Sequence, residues 1–274
     1  MRKIITNKGL FVQADSLIVD FSSDQTVYEV LRIIQGVPIF LEDHFIRLQN
    51  SLKSQGIEID MSLNEFNLKF AELIFANSAS EGNVKFVFQA TKNEKRWALF
   101  FIPHLYPTEK DYQEGVSIDL LFDERENPNS KFIQNKIRVR ADQMISEQNL
   151  YEVLLVNRDG QITEGSRSNV FFVKDEVFYT APASKVLVGI TRQKVLECLN
   201  YLGYETVEKC VEANEISRYD AVFLSGTSPK VLPVKSIGNQ KFNTQLFFMN
   251  RLMKCYDNRI DNYIESMQDS GINS

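Results

Sequence analysis

The sequence is poor in the side chains that most often bind zinc or act beside a catalytic serine. In 274 residues it has three cysteines, Cys198, Cys210 and Cys255, and two histidines, His44 and His104. The cysteines show no CxxC spacing, and the histidines lie far apart in the sequence. A structural zinc site and a Ser-His-Asp triad are therefore poorly supported. We expect reduced thiols, as in a reducing cytoplasm.

The chain also lacks clustered positive charge and long apolar segments. It carries 31 basic and 36 acidic residues, a formal net charge of −5, without a run of lysine and arginine. This balance argues against a nucleic-acid partner. The first residues contain no apolar stretch as long as a signal peptide or a membrane helix requires. We therefore expect a cytoplasmic protein without a membrane partner.

Alternating strand and helix patterns indicate two α/β domains. The first forty residues have strand patterns, and two amphipathic helical patterns follow. A polar segment with one proline, residues 122–130, then interrupts the pattern. We predict a small amino-terminal α/β domain over residues 1–121, a linker over 122–130 and a larger carboxy-terminal α/β domain over 131–274, which begins with a helix.

Five short motifs follow one another along the chain. They are Val27–Val30, His44–Leu48, Asp159–Phe171, Leu187–Arg192 and Ser225–Val234. They resemble the V-Y/F-E, H-x-x-RL, DG-x-ITEGS-x-SN-x-F, L-x-GITR and SGT…PV motifs of class IV (fold-type IV) aminotransferases. This family includes branched-chain and D-amino-acid aminotransferases and aminodeoxychorismate lyases. Each motif alone is a weak signal, but the ordered set covers nearly the whole chain. The resemblance implies a two-domain fold-type IV α/β enzyme, a homodimer with pyridoxal 5′-phosphate between its domains.

The resemblance also implies which lysine carries the cofactor. In the family this lysine lies slightly more than thirty residues before the glutamate of the TEG segment. Lys131 precedes Glu164 by 33 residues, whereas Lys136 precedes it by 28. Lys131 is therefore the implied Schiff-base residue and the base that moves a proton between the substrate α-carbon and C4′ of the cofactor. Glu164 is implied to bind the pyridinium nitrogen, where a carboxylate favours the protonated ring.

Four residues of the large domain are implied to bind the cofactor phosphate. Ile190 and Thr191 open a predicted helix, and the N–H groups and dipole at a helix start favour an anion. Without the resemblance, Thr191 would be interpreted as a helix cap. Thr227 and Ser228 follow a predicted strand and are implied to add hydrogen bonds.

Two residues of the small domain complete the implied cofactor site. Arg47 is implied to form an ion pair with the phosphate, a contact that suits a guanidinium. Tyr28 is implied to line the cofactor. From the residues alone, we would interpret Arg47 as a surface arginine beside Asp43 and Tyr28 as a half-buried strand residue.

The motifs that set substrate choice in the family are altered. The segment 84–91 replaces the Y-x-R-P strand of branched-chain enzymes, and Lys136 occupies the position of their cofactor-contacting tyrosine. Residues 91–93 stand where D-amino-acid aminotransferases have R-x-H. The lyases usually have K-x-x-N, whereas Gln134 lies three residues after Lys131. The substrate carboxylate therefore needs another cation.

Arginine binds carboxylates through two parallel hydrogen bonds, so arginines near the cofactor motifs are the candidates. They are Arg138, Arg140 and Arg167. Arg167 is the first choice because it follows Gly165 by two residues in the segment expected to face the cofactor.

Three functions fit these observations. The leading one is transamination between an amino acid and a 2-oxo acid. The alternative is a lyase of the aminodeoxychorismate type, which eliminates a β-substituent and releases pyruvate. Both begin with proton removal by Lys131. The altered residues after Lys131 leave a third interpretation, a cofactor-binding scaffold without turnover.

Overall fold

The computed structural model describes residues 2–12, 26–90, 94–124 and 135–269. Lys131 and most of the predicted linker lie outside the described residues. The described residues form two compact units. The first contains the residues up to 105 together with 260–269, and the second contains 106–124 and 135–259.

The first unit is built on an antiparallel six-stranded sheet. Its strands are β1 (Lys3–Thr6), β2 (Gly9–Val12), β3 (Thr26–Ile34), β4 (Val37–Pro38), β5 (Gly82–Ala90) and β6 (Lys95–Ile102). Their order in the sheet is β2-β1-β6-β5-β3-β4. Along β3 buried and half-buried residues alternate, because successive side chains of a strand point to opposite faces.

Two helices bury their apolar faces in this unit, α1 (Leu41–Lys53) and α2 (Leu63–Asn77). A capping box begins α2: the Ser62 Oγ accepts from the Glu65 N–H, and the Glu65 carboxylate accepts from the Ser62 N–H. The rings of Phe45, Phe70 and Phe86 each lie 4.9–5.1 Å from the ring of buried Phe66. Each buried phenylalanine contributes about 1.5–3 kcal/mol to folding, so this cluster anchors both helices.

The second unit is built on a ten-stranded mixed sheet. Its strands are β7 (Val116–Phe122), β8 (Glu152–Val156), β9 (Gln161–Gly165), β10 (Asn169–Lys174), β11 (Val177–Thr180), β12 (Thr206–Glu208), β13 (Val211–Glu212), β14 (Ala221–Gly226), β15 (Lys230–Ile237) and β16 (Gln240–Lys241). The order is β12-β11-β10-β14-β15-β7-β8-β9-β13, with β16 paired to β15. β8 is buried along its whole length, and β10 is buried except at its last residue, as expected for strands that are covered on both faces.

The boundary between the units differs from the sequence-based boundary at 121/122. It falls after residue 105, because β7 pairs in parallel with β8 and β15 of the second sheet. A strand with apolar residues does not reveal which sheet it joins, so the polar segment after it was the stronger sequence signal.

Four helices begin in the second unit: α3 (Glu109–Glu114), α4 (Asn135–Gln148), α5 (Ile190–Tyr201) and α6 (Phe247–Asp269). α5 packs on β14 and buries Val195, Cys198 and Leu199. Beneath it the rings of Phe171 and Phe223 stack with centroids 4.8 Å apart. In the described part of the chain, no helix is both long and apolar enough to span a membrane.

Candidate active site

Glu164 is a buried carboxylate near the end of β9. It is 3% exposed, and its Oε2 accepts a hydrogen bond from the Leu187 N–H at 3.2 Å. Leu187 lies three residues before the start of α5. The structure therefore brings the TEG and GITR segments together, although 23 residues separate Glu164 from Leu187 in the sequence.

The start of α5 has the features of an anion site. Gly189 is its N-cap residue and supplies no side-chain cap, and the Gln193 N–H is the first to bond back to the Gly189 carbonyl, at 3.0 Å. The N–H groups of Ile190 and Thr191 therefore have no intrahelical acceptor. Thr191 is 6% exposed, and its Oγ1 lies 3.5 Å from the Tyr256 hydroxyl.

Asn169 links this helix start to the central strands. Its Nδ2 donates to the Leu187 carbonyl at 2.9 Å, and it pairs with Ser225 between β10 and β14. A Cβ atom on Gly189 would lie only 2.3 Å from the Asn169 Oδ1. The glycine is needed because the amide approaches the backbone so closely.

Thr227 and Ser228 lie in the turn between β14 and β15, next to Ser225. The Ser225 Oγ is buried and has no hydrogen-bond partner among the described residues. A buried hydroxyl of this kind costs free energy unless a ligand or water completes it. The turn packs near the Glu164 segment, since a Cβ on Gly226 would lie 3.6 Å from the Ser168 Cβ.

Arg192 is a buried arginine in the first turn of α5. It is 2% exposed; its Nη2 donates to the Ala181 carbonyl at 2.9 Å and lies 3.3 Å from the Glu208 Oε2. Burial lowers the pKa of Arg192, and the carboxylates of Glu208 and Glu164 oppose that effect. The guanidinium thus balances part of the negative charge near Glu164.

In the first unit, Arg47 belongs to a buried network. Its Nε and Nη2 donate to the two carboxylate oxygens of Glu29 at 2.9 and 2.6 Å, and the His44 Nδ1 lies 2.7 Å from the Glu29 Oε2. Glu29 is fully buried. Tyr28 directly precedes Glu29 on β3, so its side chain lies on the opposite face of the sheet, where the Lys85 ammonium is 4.8 Å from its ring centroid. The predicted contacts of Arg47 and Tyr28 with the cofactor stay predictions.

The three arginine candidates for the substrate carboxylate have different surroundings. The guanidinium of Arg167 forms an ion pair with Asp142, and 54% of its side chain is exposed. Arg140 pairs with Asp123 and is also more than half exposed. Arg138 is half-buried on α4. Two of the three thus have carboxylate partners within the protein, and the assignment stays a prediction.

Three buried polar residues of this region were not singled out from the sequence: Glu152, Asn169 and Ser225. Asn169 and Ser225 lie within motifs, but only the fold shows that they face each other on adjacent strands. Glu152 is a buried acid at the start of an otherwise apolar strand. An acidic residue at the start of an apolar strand was therefore the sequence pattern that could have drawn attention to Glu152.

These residues fit pyridoxal phosphate. The group needs a carboxylate for its ring nitrogen, donors for its phosphate and a lysine for its aldehyde. Glu164 would supply the first, and the uncapped start of α5, with a Ser225 hydroxyl that has no hydrogen-bond partner among the described residues, would supply the second. Lys131, the predicted lysine, lies outside the described residues. In the described part of the chain, no cluster of three or more His, Cys, Asp or Glu side chains is arranged to hold a metal.

Comparison with known proteins identifies the family. The model of the family described as amino-transferase class IV matches residues 26–237. A D-alanine aminotransferase of Bacillus licheniformis is 33% identical over 227 residues, 78% of this chain and 79% of that protein. A Thermotoga maritima protein named "Probable branched-chain-amino-acid aminotransferase" is 30% identical over 245 residues, 86% of this chain and 87% of its own length.

Solved structures have the same fold. The branched-chain aminotransferase of the archaeon Thermoproteus uzoniensis, solved with norvaline, superposes with a TM-score of 0.83 at 21% identity and covers 97% of this chain and 96% of that one. Another branched-chain amino acid aminotransferase, solved with pyridoxamine 5′-phosphate, has the same TM-score and identity and covers 96% of this chain and 95% of its own. The fold, the converging motifs and the family match agree. The chain belongs to the class IV aminotransferases, enzymes of fold type IV whose cofactor is pyridoxal 5′-phosphate.

Proposed function

We propose that this enzyme transfers an amino group between an amino acid and a 2-oxo acid, with Lys131 as the residue that binds the cofactor aldehyde. One observation supports this most directly. The buried Glu164 carboxylate and the uncapped start of α5 meet at the Leu187 segment, which Asn169 holds from the adjacent strand. An acid and an anion site brought together in this way match the two ends of the cofactor.

Each residue then has a defined task. Pyridoxal phosphate, when bound, withdraws electrons from the α-carbon of an attached amino acid. Glu164 holds positive charge on the ring nitrogen, because a nearby carboxylate favours the protonated form. The N–H groups of Ile190 and Thr191, with Thr227 and Ser228, hold the phosphate. The Leu187 N–H orients the Glu164 carboxylate.

Lys131 carries the proton transfer in this proposal. Once the substrate amine has displaced Lys131 from the cofactor aldehyde, the freed neutral amine of Lys131 takes the proton from the substrate α-carbon and delivers it to C4′ of the cofactor. A base within reach of both atoms gives such a shift its efficiency. The same step begins an elimination, so the lysine does not separate transferase from lyase.

The test compares two lysine variants. Purified wild-type protein is mixed with pyridoxal phosphate, L- and D-amino acids are added one at a time, and conversion of the cofactor to its pyridoxamine form is followed by absorbance. Lys131→Ala should retain weak cofactor binding through the phosphate contacts and should not convert the cofactor with any donor, although a donor amine can still condense with the free aldehyde. Lys174→Ala, at an exposed lysine that ends β10, is the matched control and should respond like the wild type. Full activity of Lys131→Ala would refute the assignment.

Product analysis separates the three functions. A transferase needs a 2-oxo acid acceptor, such as pyruvate or 2-oxoglutarate, for more than one turnover. A lyase releases pyruvate from its substrate without an acceptor. A scaffold without turnover binds the cofactor, and its colour stays the same whichever amino acid is added.

The substrate carboxylate is tested with three single variants, Arg138→Ala, Arg140→Ala and Arg167→Ala. Removal of the arginine that binds this carboxylate should raise KM at least tenfold, since a charge-assisted bidentate contact is worth about 1.5–3 kcal/mol. The other two variants serve as its controls.

We also propose a homodimer, as the family resemblance implies. Light scattering coupled to size-exclusion chromatography measures the mass directly, and a mass of one chain at micromolar concentration would contradict the dimer.

A further inference from the structure

Glu152 is a buried carboxylic side chain that the reaction described above does not use. The residue begins β8 and is 4% exposed. Its Oε1 accepts from the Val153 N–H at 2.9 Å and from the Ser166 hydroxyl at 2.6 Å. Its Oε2 accepts from the Arg167 N–H and the Ser168 hydroxyl, both at 3.0 Å. Four donors therefore surround one carboxylate.

Three of these donors come from a single turn, residues 165–168, which joins β9 to β10. Within the described residues, no lysine or arginine forms an ion pair with Glu152. Burying a carboxylate is costly unless hydrogen bonds compensate its charge. The donors of the turn meet this requirement, so the carboxylate and the turn conformation depend on each other.

The packing of the turn supports this dependence. The Gly165 N–H donates to the Ser168 carbonyl at 2.7 Å, and the Ser166 N–H donates to the Val153 carbonyl at 3.0 Å. A Cβ on Gly165 would lie 3.1 Å from the Glu152 Oε2 and 2.3 Å from the Ser168 Oγ. The turn is therefore closed tightly over the carboxylate, with no room for a side chain at residue 165.

The turn connects two residues of the candidate active site. Glu164 directly precedes it, and Asn169 directly follows it. Both contact the Leu187 peptide groups before α5, Glu164 through the N–H and Asn169 through the carbonyl. Any change in the turn conformation shifts these two residues relative to the helix start.

We propose that Glu152 is a positioning residue for amino transfer: its carboxylate fixes the turn 165–168 and thereby holds Glu164 and Asn169 in place beside the start of α5. This inference rests on the proposed function, because it assigns Glu164 to the ring nitrogen. It predicts that a substitution at Glu152, which contacts neither substrate nor cofactor in the proposed function, is enough to disturb the turn.

Glu152→Gln is the main test. The amide keeps the shape of the side chain but can accept hydrogen bonds with only one oxygen. Whichever way it rotates, two of the four donors face an NH2 group. Val222→Ala is the matched control. Val222 is a buried core residue of β14 that has no place in the site, and its loss should destabilise the fold without altering the turn.

Three measurements are compared in both variants, each as cofactor-loaded enzyme unless stated. In Glu152→Gln we expect kcat to fall at least tenfold with a smaller change in KM. The pH midpoint for protonation of the cofactor ring nitrogen, read from the bound-cofactor spectrum, should move downward. A displaced Glu164 stabilises the protonated ring less. In the cofactor-free protein, amide hydrogen exchange of residues 165–168 should accelerate at least tenfold. Val222→Ala should leave all three near wild-type values.

The result that overturns the proposal is a Glu152→Gln protein that loses stability like Val222→Ala and keeps the wild-type pH midpoint and exchange rates. If Glu152→Gln does not fold, the double variant Ser166→Ala/Ser168→Ala replaces it. That variant keeps the charge and removes two donors, and it should show the same downward midpoint; an unchanged midpoint refutes the positioning role. Failure of the proposed function is recognised separately, since the wild-type protein would then not respond to any amino donor.

Discussion

Asn169 approaches Gly189 so closely that Gly189→Ala should destabilise the wild-type protein but not a protein that already carries Asn169→Ala. In wild-type protein, a methyl group at residue 189 would lie 2.3 Å from the Asn169 Oδ1. To relieve this contact the amide must move, and its 2.9 Å hydrogen bond to the Leu187 carbonyl is lost. We expect Gly189→Ala to cost about 1–3 kcal/mol, the range for a lost hydrogen bond with a poorly satisfied partner.

The backbone at residue 189 adds nothing to this cost. Gly189 has φ −68° and ψ 138°, a conformation open to alanine. Replacing glycine by alanine at such a position stabilises a protein by about 0.4–1 kcal/mol through the unfolded chain. In the Asn169→Ala background, where the amide is absent, Gly189→Ala should therefore be neutral or stabilising by that amount.

Urea unfolding of the four cofactor-free proteins measures this cycle. The slope of the free energy of unfolding against urea should be the same in all four, so that midpoints compare directly. The coupling between the two substitutions should reach about 1–3 kcal/mol, as for residues in contact. An equal cost of Gly189→Ala in both backgrounds would refute the proposed clash.

Three further predictions concern parts of the molecule away from the site. Thr108→Ala should cost about 1 kcal/mol of stability at neutral pH through loss of the α3 cap. The hydrogen bonds from Thr108 lower the pKa of Asp111, so the difference in stability from wild type should shrink as pH falls below the ordinary aspartate pKa. Urea unfolding at neutral and acid pH checks this. Cys255 should be alkylated under native conditions well before Cys198, which is fully buried and whose pKa burial raises to about 12; equal rates by mass spectrometry would contradict the packing. Burial and a carboxylate acceptor raise the pKa of Tyr263, so its contribution is complete below the unfolded tyrosine pKa and declines as pH rises above it. Tyr263→Phe should therefore lose less stability than wild type between about pH 9 and 11, as measured by unfolding across that range.

Local patterns predicted individual elements better than their assembly. Ile190 and Thr191 were predicted to open a helix, and α5 begins at Ile190. Ser62 and Glu65 have the spacing of a capping box, and the box forms. Both depend on residues within one turn of the chain. The assignment of β7 to the second sheet depends on pairing with β15, more than one hundred residues later, and no local pattern carries that information.

The candidate site was predicted in the same uneven way. Glu164, Ile190 and Thr191 were predicted as cofactor residues from motifs, and the fold brings the first beside the segment that leads to the other two; their contacts with the cofactor stay predictions. The role of Glu152 was not predicted, because its three partners in the turn lie 14 to 16 residues further along and are recruited only when β8 and β9 pair. A strand pattern distinguishes apolar from polar positions, but it does not show whether a buried acid finds donors.

The ion pair of Arg47 has a consequence for how that position tolerates change. Two adjacent nitrogens of the guanidinium are bonded to the two oxygens of Glu29, so the plane of the group is fixed as well as its charge. A lysine would preserve the charge with a single nitrogen that cannot span both oxygens. The orientation of the group at residue 47 therefore matters as well as its charge, and Arg47→Lys should leave one oxygen of the buried Glu29 carboxylate without its present donor.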